Sequence, residues 1–439
     1  MTGDEQLQHL RAGWILARSD IYLINDRTTI NADELNGQEV FHYSIPNVQS
    51  FGTGCVEQGA DVESGKQLIT SETLLVSRLN PRKATVCIAC AQPITTVAST
   101  EFVALKPTNQ ADIAYLRYTV LSDLFRQQLE ARVESVTKSH QRVAPHLIYR
   151  FWWCWPPLME QQAIAAFLDR ETAKIDALVA EQERLLVLLE EKRQAVIANA
   201  VTKGLDPTVP MRGSGVEWLG HVPAHWSVAT TNALKAPAST ITYGIVQAGP
   251  DIEGGIPYVR TSDMSGTELP LTGYLRTTPE IAAAYERSSI KAGDLVIAIR
   301  ASIGKTMIVP PELTGGNLTQ GTAKIEPGRN MLGNFLCYVL NSVPCQQHFA
   351  SIAKGTTFKE ITLEMLRKLK VPQPSRAEQQ LIVEHLAAVL PSIGQLISEA
   401  ETARGLLHER RAALISAAVT GKLDVRAVAQ AAKPALAAE

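Results

Sequence analysis

Polar side chains in two groups of loops are the residues of this chain best suited to do chemistry. Arginine and lysine hold phosphates, and arginine, asparagine, glutamine, serine and threonine also hydrogen-bond to base edges. An ordinary solvated loop is the alternative for any single residue, but both halves of the chain place such residues after comparable strand-like runs. We predict nucleic-acid contacts in the first half from Arg78, Asn80, Arg82, Lys83, Lys138, Ser139, His140, Gln141 and Arg142. In the second half we predict them from Arg260, Thr261, Ser262, Arg300, Ser302, Lys305, Thr319, Gln320 and Lys359.

Two patterns that often carry catalysis or a metal are incomplete. Ile303-Gly304-Lys305-Thr306 resembles the end of a phosphate-binding loop, but Ile299 stands where that motif needs its first glycine, and a strand-like run follows. Cys87 and Cys90 have the spacing of zinc ligands without a second pair, which favours buried thiols over a metal site.

Enzymatic motifs are incomplete elsewhere too. Asn80-Pro81 begins like the motif with which amino-methyltransferases stack a flipped base, but the second proline and the aromatic residue are missing. No glycine-rich loop for a dinucleotide or a methyl donor opens a helix after a strand, and no cluster of acids with a lysine indicates a nuclease. We therefore predict a non-catalytic chain with no metal and no cofactor of its own.

The composition is that of an ordinary globular protein. The chain has 439 residues, 45% of them hydrophobic and 20% charged, with a net charge of −2, so a DNA-binding surface would have to be a local patch. The sequence has no run of about 18 apolar residues and no signal peptide, which predicts a cytoplasmic protein without a membrane span. Its six cysteines are too few for a disulfide framework and are expected to be reduced.

One helical segment occurs twice, and this repeat indicates the architecture that must position the polar loops. Residues 160–206 align without a gap to residues 378–424, 218 positions later, and 20 of the 47 aligned residues are identical. Each copy follows a head of strand-like runs, with one helix expected over Ala111–Glu134 in the first head and near Phe335–Phe349 in the second. Three positions also align between the heads, Pro107 with Pro327, Leu116 with Leu336 and Tyr118 with Tyr338.

The two long helices carry an apolar stripe typical of a coiled coil. About 43 residues at 1.5 Å each would span roughly 65 Å, which favours a spacer over a pair of ordinary core helices. Pro391 stands in the second copy where the first has Ala173, so we expect a kink or a break there. We predict that the helices pack through Leu168, Ile175, Leu178, Leu185, Leu189 and Val196 in the first copy, and Leu386, Ile393, Leu396, Leu407 and Leu414 in the second.

The first long helix and the segment after it resemble type I restriction–modification specificity subunits. The similar parts of the helix are Pro156–Ile164, Lys174–Leu178, Glu191–Ala195 and Val201–Asp206. The segments similar to the family's second domain are Ser214–Gly220, Val222-Pro223, His225-Trp226, Ile256–Arg260, Gly293–Val296, Ser302–Lys305 and Thr319–Gly321. The resemblance covers nearly the whole chain. The first head departs from the pattern, because only Trp14 represents the family's opening and Leu79-Asn80-Pro81 replaces its Ser-Ile-Gly type of turn.

The resemblance implies an α+β fold with two related target-recognition domains, each followed by a long helix, and with the two helices packed as an antiparallel coiled coil. It also implies a non-catalytic subunit that recognises a DNA sequence in two parts separated by unread bases. Its partners would be double-stranded DNA and two methyltransferase subunits that use S-adenosylmethionine, with or without restriction subunits. The implied segments are a first recognition domain (1–155), a helical spacer (156–206), a linker (207–219), a second recognition domain (220–373), a second spacer (374–424) and a flexible tail (425–439).

Two other classes of function stay open at this point. One is a single-chain DNA methyltransferase or nuclease, which the incomplete motifs disfavour. The other is a coiled-coil scaffold that has no nucleic-acid role. The recognised DNA sequence, the length of the unread spacer and the presence of a restriction subunit cannot be read from the residues.

Overall fold

The computed structural model describes residues 11–24, 28–133, 141–355 and 359–426. The strands of the first head are β1 (Ile15–Arg18), β2 (Leu23–Ile24), β3 (Thr29–Ile30), β4 (Glu39–Tyr43), β5 (Cys55–Gln58), β6 (Lys66–Leu68), β7 (Thr73–Ser77), β8 (Val86–Ala89), β9 (Thr95–Ser99), β10 (Phe102–Pro107) and β11 (Trp152–Trp155). Those that follow are β12 (Met211–Gly213), β13 (His221–Pro223), β14 (Ser227–Thr230), β15 (Thr242–Tyr243), β16 (Ile256–Val259), β17 (Arg276–Thr277), β18 (Leu295–Ala298), β19 (Thr306–Ile308), β20 (Asn317–Leu318), β21 (Thr322–Ile325) and β22 (Lys370–Gln373). The α-helices are α1 (Ala32–Leu35), α2 (Ile45–Phe51), α3 (Ile113–Leu121), α4 (Asp123–Glu130), α5 (Pro145–Tyr149), α6 (Leu158–Lys203), α7 (Thr231–Leu234), α8 (Pro279–Ala284), α9 (Gly333–Asn341), α10 (Val343–Ile352), α11 (Leu363–Lys368) and α12 (Arg376–Val419).

The two heads share one sheet order. In the first head a four-stranded sheet runs β2-β10-β7-β8, and in the second head the order is β15-β21-β18-β19. Each head also closes its ends with a two-stranded sheet, β1-β11 or β14-β22, and contains one parallel strand pair, β4 with β9 or β16 with β20. The remaining sheets differ, with five strands (β3-β6-β9-β4-β5) in the first head and three (β17-β16-β20) in the second.

The single helix expected in each head is a pair of helices in the structure. Ser122 has extended backbone (ψ 147°) between α3 and α4, and its hydroxyl accepts a hydrogen bond from the Phe125 amide at 3.3 Å. Ser342 also has extended backbone (ψ 145°) between α9 and α10, but its hydroxyl donates to the Val339 carbonyl at 2.6 Å, and Pro344 stands in the first turn of α10. The extended serine ends the apolar periodicity that predicts one continuous helix, and in the first head its hydroxyl also satisfies an amide of the next helix.

The chain divides into two compact units, each built from the same parts. The first unit contains Met1–Glu183 and Thr402–Glu439, and the second contains Arg184–Glu401. Each unit therefore has one head, the start of the long helix that follows this head, and the end of the other long helix.

In the first unit a buried glutamine fastens α6 to its own head. The Gln161 side chain accepts from the Asp112 amide (2.9 Å) and donates to the carbonyls of Gln110 (3.1 Å) and Pro156 (2.9 Å). Gln161 is 1% exposed, so these hydrogen bonds are shielded from water.

The end of α12 closes the same unit. The Tyr115 hydroxyl lies 3.1 Å from the Val419 carbonyl, and burial raises the pKa of this phenol. Gly421 follows the helix with φ +76°, and a Cβ atom placed on it would lie 3.2 Å from the Trp14 ring. The ring of Trp14 thus occupies the place where the chain leaves the helix.

The second unit repeats both devices. Gln379 accepts from the Leu332 amide (2.8 Å) and donates to the carbonyls of Asn330 and Pro374 (3.0 Å each). Gly204, which follows α6 with φ +76°, would place a Cβ atom 3.3 Å from the Trp226 ring. Trp14 is therefore the structural counterpart of Trp226, although the sequence around it lacks the family's opening.

Burial along the long helices follows an alternation of three and four residues that differs from the predicted stripe at three positions. Leu178 (50% exposed), Leu185 (41%) and Leu396 (48%) face away from the buried side, so their assignment to the packing seam is wrong. The heptad that starts at Leu168 reaches Val179 (8% exposed) instead, and one residue turns a helix by about 100°. Of the other predicted positions, Leu168, Ile175, Leu189, Leu386 and Ile393 are buried, and Val196, Leu407 and Leu414 are half-buried.

The second long helix runs unbroken through Pro391, so the expected break is wrong. Pro391 and Ala387 are both exposed, which leaves the carbonyl that loses its helical partner on the solvent side. Two residues of the flexible tail expected from residue 425 are ordered, because Val425 is buried in the first core and Arg426 pairs with Glu160 at 2.8 Å. Residues 427–439 of that tail lie outside the described residues.

One described helix, Arg376–Val419, is long and apolar enough to cross a membrane by length and composition. Its 18-residue window has a mean hydropathy of 1.5, and 17% of that window is buried. Ile382 and Leu386 of this helix are fully buried in the core of the second head, so the start of the helix serves as a packing element there.

Candidate nucleic-acid interface

In the first head the predicted residues gather around the turn between β7 and β8. Asn80 (φ +48°) and Ala84 (φ +44°) adopt the left-handed conformation on either side of a 3₁₀ turn, Pro81–Lys83. Non-glycine residues pay roughly 1–2 kcal/mol for that conformation, and such strain clusters at functional sites.

A second loop is hydrogen-bonded to this turn. The Asn80 amide donates to the Gln141 carbonyl at 2.8 Å, and the Val143 amide donates to the Arg78 carbonyl at 3.0 Å. Leu79 and Arg142 form an isolated bridge between the two segments. The backbone therefore joins two polar segments that are more than 60 residues apart in the sequence.

One carboxylate organises the cations of the first head. Glu101 Oε2 accepts from Arg78 Nε at 2.8 Å, and its Oε1 accepts from Arg142 Nη2 at 3.0 Å. Arg82 is 68% exposed and lies 3.8 Å from Glu130, and Lys83 is exposed with no ion pair among the described residues. The surface thus presents two acid-bound guanidinium groups beside the weakly paired Arg82 and the exposed Lys83.

In the second head the turn between β18 and β19 occupies the same place in the sheet order. Ala301 (φ +56°) is left-handed, and with Asn80 and Ala84 it completes the set of non-glycine residues with positive φ in the described chain. The Ile361 amide donates to the Ile299 carbonyl at 3.0 Å, as the Val143 amide does to Arg78. Both heads therefore place their backbone strain in the equivalent turn and join that turn to the loop before the last short helix of the head.

The bridge of the second head carries an ion pair. Arg300 and Glu360 form the bridge, and Arg300 Nε donates to Glu360 Oε2 at 2.8 Å. Lys305 Nζ donates to the Ser265 carbonyl at 2.7 Å and has no ion pair among the residues described. Ser302 and Lys359 are exposed beside these groups.

Two further predicted loops of the second head reach the same turn. The Ile299 amide donates to the Gly321 carbonyl at 2.9 Å, which places Thr319 and Gln320 next to it. A Cβ atom on Gly321 would lie 3.1 Å from Thr261, so the Arg260–Ser262 segment is in contact as well. Asp263 binds the Arg260 guanidinium at 3.1 and 2.7 Å and raises the pKa of that arginine.

The structure therefore brings together the predicted residues of each head that it describes. Lys138, Ser139 and His140 lie outside the described residues, and the assignment of any single residue to a DNA contact stays a prediction. Sequence reasoning missed Glu101, Asp263 and Glu360. Only Asp263 had a local signal, because it stands three residues after Arg260 as in a capping box, whereas Glu101 reaches its partners across 23 and 41 residues.

The structure describes the residues of both alternative sites, the cysteine pair and the segment that resembles a phosphate-binding loop. Among the residues described, no three His, Cys, Asp or Glu side chains come together in a way that could hold a metal. Burial raises the pKa of the Cys87 thiol to about 12, which disfavours the thiolate that zinc needs, and Cys90 is exposed. Thr306 begins strand β19 where a phosphate-binding loop would begin a helix.

The family model and the relatives that match this chain all belong to the same family. Residues 250–401 match the type I restriction modification DNA specificity domain. The chain is 28% identical over 278 residues to the type I restriction enzyme EcoBI specificity subunit of Escherichia coli, covering 62% of this chain and 58% of that protein. It is 23% identical to the putative type I restriction enzyme MjaX specificity subunit of Methanocaldococcus jannaschii, covering 62% of this chain and 59% of that protein. The aligned regions thus span less than two thirds of the length of these relatives.

Solved structures show the same fold. The chain matches a protein from work on complex assembly and conformational transition of the type I R-M system, with a TM-score of 0.76, 18% identity, and coverage of 94% of this chain and 100% of that one. It matches the HsdS subunit from Thermoanaerobacter tengcongensis with a TM-score of 0.52 and 18% identity, covering 94% of this chain and 98% of that one. The mixed helix-and-sheet fold and the resemblance inferred from the sequence are confirmed.

Proposed function

We propose that this chain, a type I restriction–modification specificity subunit by family, reads a two-part DNA target for a modification complex. The observation that carries the proposal is the recurrence of one strained, cation-bearing turn at the same place in the sheet order of both heads. Two such surfaces on one chain suit a DNA sequence read in two half-sites, as dimeric readers do with two subunits. The boundaries 1–155 and 220–373 are proposed for the two recognition domains.

The long helices are proposed to form an antiparallel coiled coil that sets the distance between the half-sites. The 46 residues of α6 correspond to about 69 Å at 1.5 Å per residue. In the first unit Glu160 pairs with Arg426 and Asp176 with Arg411, which is the order expected of helices that run in opposite directions. Gln161 and Gln379 fix each helix to its head, so a change of helix length would be passed on to the heads.

Repeat-related leucines on the helices are proposed to dock two copies of one methyltransferase subunit. The first unit exposes Leu178 (50%) and Leu406 (59%), and the second exposes their repeat counterparts Leu396 (48%) and Leu188 (54%). Contiguous exposed apolar patches mark partner surfaces, and we take the recurrence of these leucines at repeat-related positions as support for such a surface on each unit. The partner would bind S-adenosylmethionine and carry out methylation in the cytoplasm, with or without a restriction subunit, while this chain stays non-catalytic.

Methylome sequencing tests the proposal. Cells that express this chain with its methyltransferase should carry methyl groups in one motif that has two specified parts and unread bases between them. Inserting one heptad at equivalent places in both helices should lengthen the unread spacer and keep both half-sites. A methylated motif without two separated parts would refute the proposal, and changed half-sites would refute the spacer role.

The docking surface has its own test. Leu178→Glu with Leu396→Glu should abolish co-purification of the methyltransferase, because two charges would enter an apolar contact. Glu183→Lys with Glu401→Lys is a matched control, since these residues are exposed and repeat-related but carry no apolar surface. Full co-purification of the leucine variant would contradict docking at these positions.

The two other classes of function predict different results. A single-chain methyltransferase or nuclease requires that the purified chain alone transfer a labelled methyl group to DNA or cleave it. A scaffold without a nucleic-acid role requires that the assembled complex ignore DNA sequence and salt concentration, whereas phosphate contacts make binding steeply salt-dependent.

A further inference from the structure

An arginine held by a carboxylate stands at the equivalent bridge of both heads. In the first head it is Arg142, bound to Glu101 at 3.0 Å, and in the second it is Arg300, bound to Glu360 at 2.8 Å. The two arginines come from opposite sides of the bridge, since Arg142 lies on the second loop and Arg300 on the hairpin turn. They remain accessible, with side chains 57% and 48% exposed.

The neighbouring lysines lack such a partner. Lys83 is exposed beside Asn80, and Lys305 donates to a backbone carbonyl. Neither lysine makes an ion pair within the described ranges of the chain. Each head thus combines an acid-bound arginine at the bridge with a lysine that has no acid partner among these residues, and in the first head Arg78 shares the carboxylate of Arg142.

This difference separates two kinds of DNA contact. A carboxylate beside a guanidinium group cancels much of its attraction to a phosphate and repels the phosphate itself, because all three groups carry full charges. The remaining N–H groups keep their direction and can still bind neutral acceptors. Guanine presents two such acceptors, N7 and O6, in the major groove.

The donor inventory agrees with a bidentate contact. A guanidinium group has five N–H donors, and Arg300 spends only its Nε donor on Glu360, which leaves both terminal nitrogens. Arg142 spends one Nη2 donor on Glu101, whose other oxygen is taken by Arg78 Nε at 2.8 Å. Glu101 is therefore fixed from two sides and limits the rotation of Arg142.

We infer that Arg142 and Arg300 each read a guanine edge, one in each half-site, while Lys83 and Lys305 hold phosphates. Glu101 and Glu360 are positioning residues that suppress phosphate binding by their arginines. The inference rests on the proposed function and adds to it a division of labour within each surface. It also implies a G·C pair in each half-site.

The test uses the complex of this chain with its methyltransferase, and measures Kd for the cognate duplex, for single-base variants and at several salt concentrations. Arg142→Ala and Arg300→Ala should each remove the preference at one base pair, in different half-sites, with a loss of discrimination of about 5- to 150-fold and an unchanged salt slope. Lys83→Ala should weaken binding to all duplexes alike and reduce the slope of log K against log salt by about 0.9. Arg18→Ala is the matched control, because this exposed arginine also pairs with an acid, Asp20, and lies on strand β1.

Glu101→Gln separates positioning from mere structure. The amide removes the charge and leaves one acceptor oxygen for Arg78 and Arg142 together, so discrimination at that base should fall while the salt slope becomes steeper. A purely structural role would lower all affinities without steepening the slope. A salt slope reduced by about 0.9 in Arg142→Ala or Arg300→Ala, with base preference intact, would overturn the inference and leave the two-part reading standing. Absence of any sequence preference in the unaltered complex would instead refute the proposed function.

Discussion

The buried glutamine at the start of each long helix gives a sharp test of how the units are built. Gln161→Ala removes three hydrogen bonds and leaves the Asp112 amide and the carbonyls of Gln110 and Pro156 without these partners. An unsatisfied buried polar group costs about 1–3 kcal/mol, and water entering the space vacated by the side chain recovers part of it. We therefore expect a loss of about 3 kcal/mol in the free energy of opening of the first unit.

Hydrogen exchange read by mass spectrometry is the suitable assay, because a chain with two units does not unfold in one step. A change of about 3 kcal/mol corresponds to roughly a 100-fold faster exchange of protected amides. This acceleration should appear in peptides of the first unit, such as those covering β11, and be much smaller in β18 of the second. Gln379→Ala should give the reverse distribution.

Gln162→Ala is the control, since this neighbour is exposed. It should change exchange by less than about threefold, in line with surface substitutions of roughly 0.5 kcal/mol. The reasoning is refuted if Gln161→Ala resembles Gln162→Ala, or if it accelerates both units equally.

Three further predictions concern packing and backbone. Leu168→Ala should destabilise the first unit by about 2–5 kcal/mol in hydrogen exchange of first-unit peptides, whereas Leu178→Ala should stay within about 0.5 kcal/mol in the isolated chain, and equal effects would contradict the revised seam. Ala301→Gly should leave stability unchanged or raise it by up to about 1 kcal/mol in a thermal unfolding scan, because glycine relieves the left-handed strain; a marked loss would show that the methyl group packs. Gly421→Ala should cost about 1–2 kcal/mol and alter the fluorescence of the adjacent Trp14, and an unaffected spectrum would contradict that contact.

Local sequence patterns were sufficient to predict the secondary-structure elements whose signal lies within the element itself. The β-rich runs Thr73–Ser77 and Thr322–Ile325 are strands, and both long helices were visible as a repeat. A repeat of this length constrains the chain at many positions at once, so errors at single residues do not obscure it. The placement of polar residues after comparable strands in both heads also followed from sequence, whereas the shared sheet order that makes the two turns equivalent comes from the structure.

The sequence predictions were wrong or incomplete where a single residue or a distant partner determines the local structure. Ser122 ends a helix through its hydroxyl, although the apolar residues on both sides keep a helical period. Leu178 and Val179 are both apolar, and only the partner surface decides which of them is buried. Glu101 could not be assigned, because its role depends on a contact with Arg142 that forms only after the sheet has assembled.

Burial explains why the glutamine contacts are the same in both units while the polar side chains at the bridges differ. Gln161 and Gln379 are identical and almost fully buried, so a substitution at either would leave several polar groups unsatisfied. Arg142 and Arg300 at the bridges are exposed, and a substitution at an exposed position usually changes stability by no more than about 0.5 kcal/mol. One bridge accordingly joins Leu79 to Arg142 and the other joins Arg300 to Glu360, and each has an equivalent backbone bond beside it, from Val143 to Arg78 or from Ile361 to Ile299. The buried contacts can therefore stay the same in both heads while the side chains proposed to face DNA differ, which is the property that a reader of two different half-sites requires.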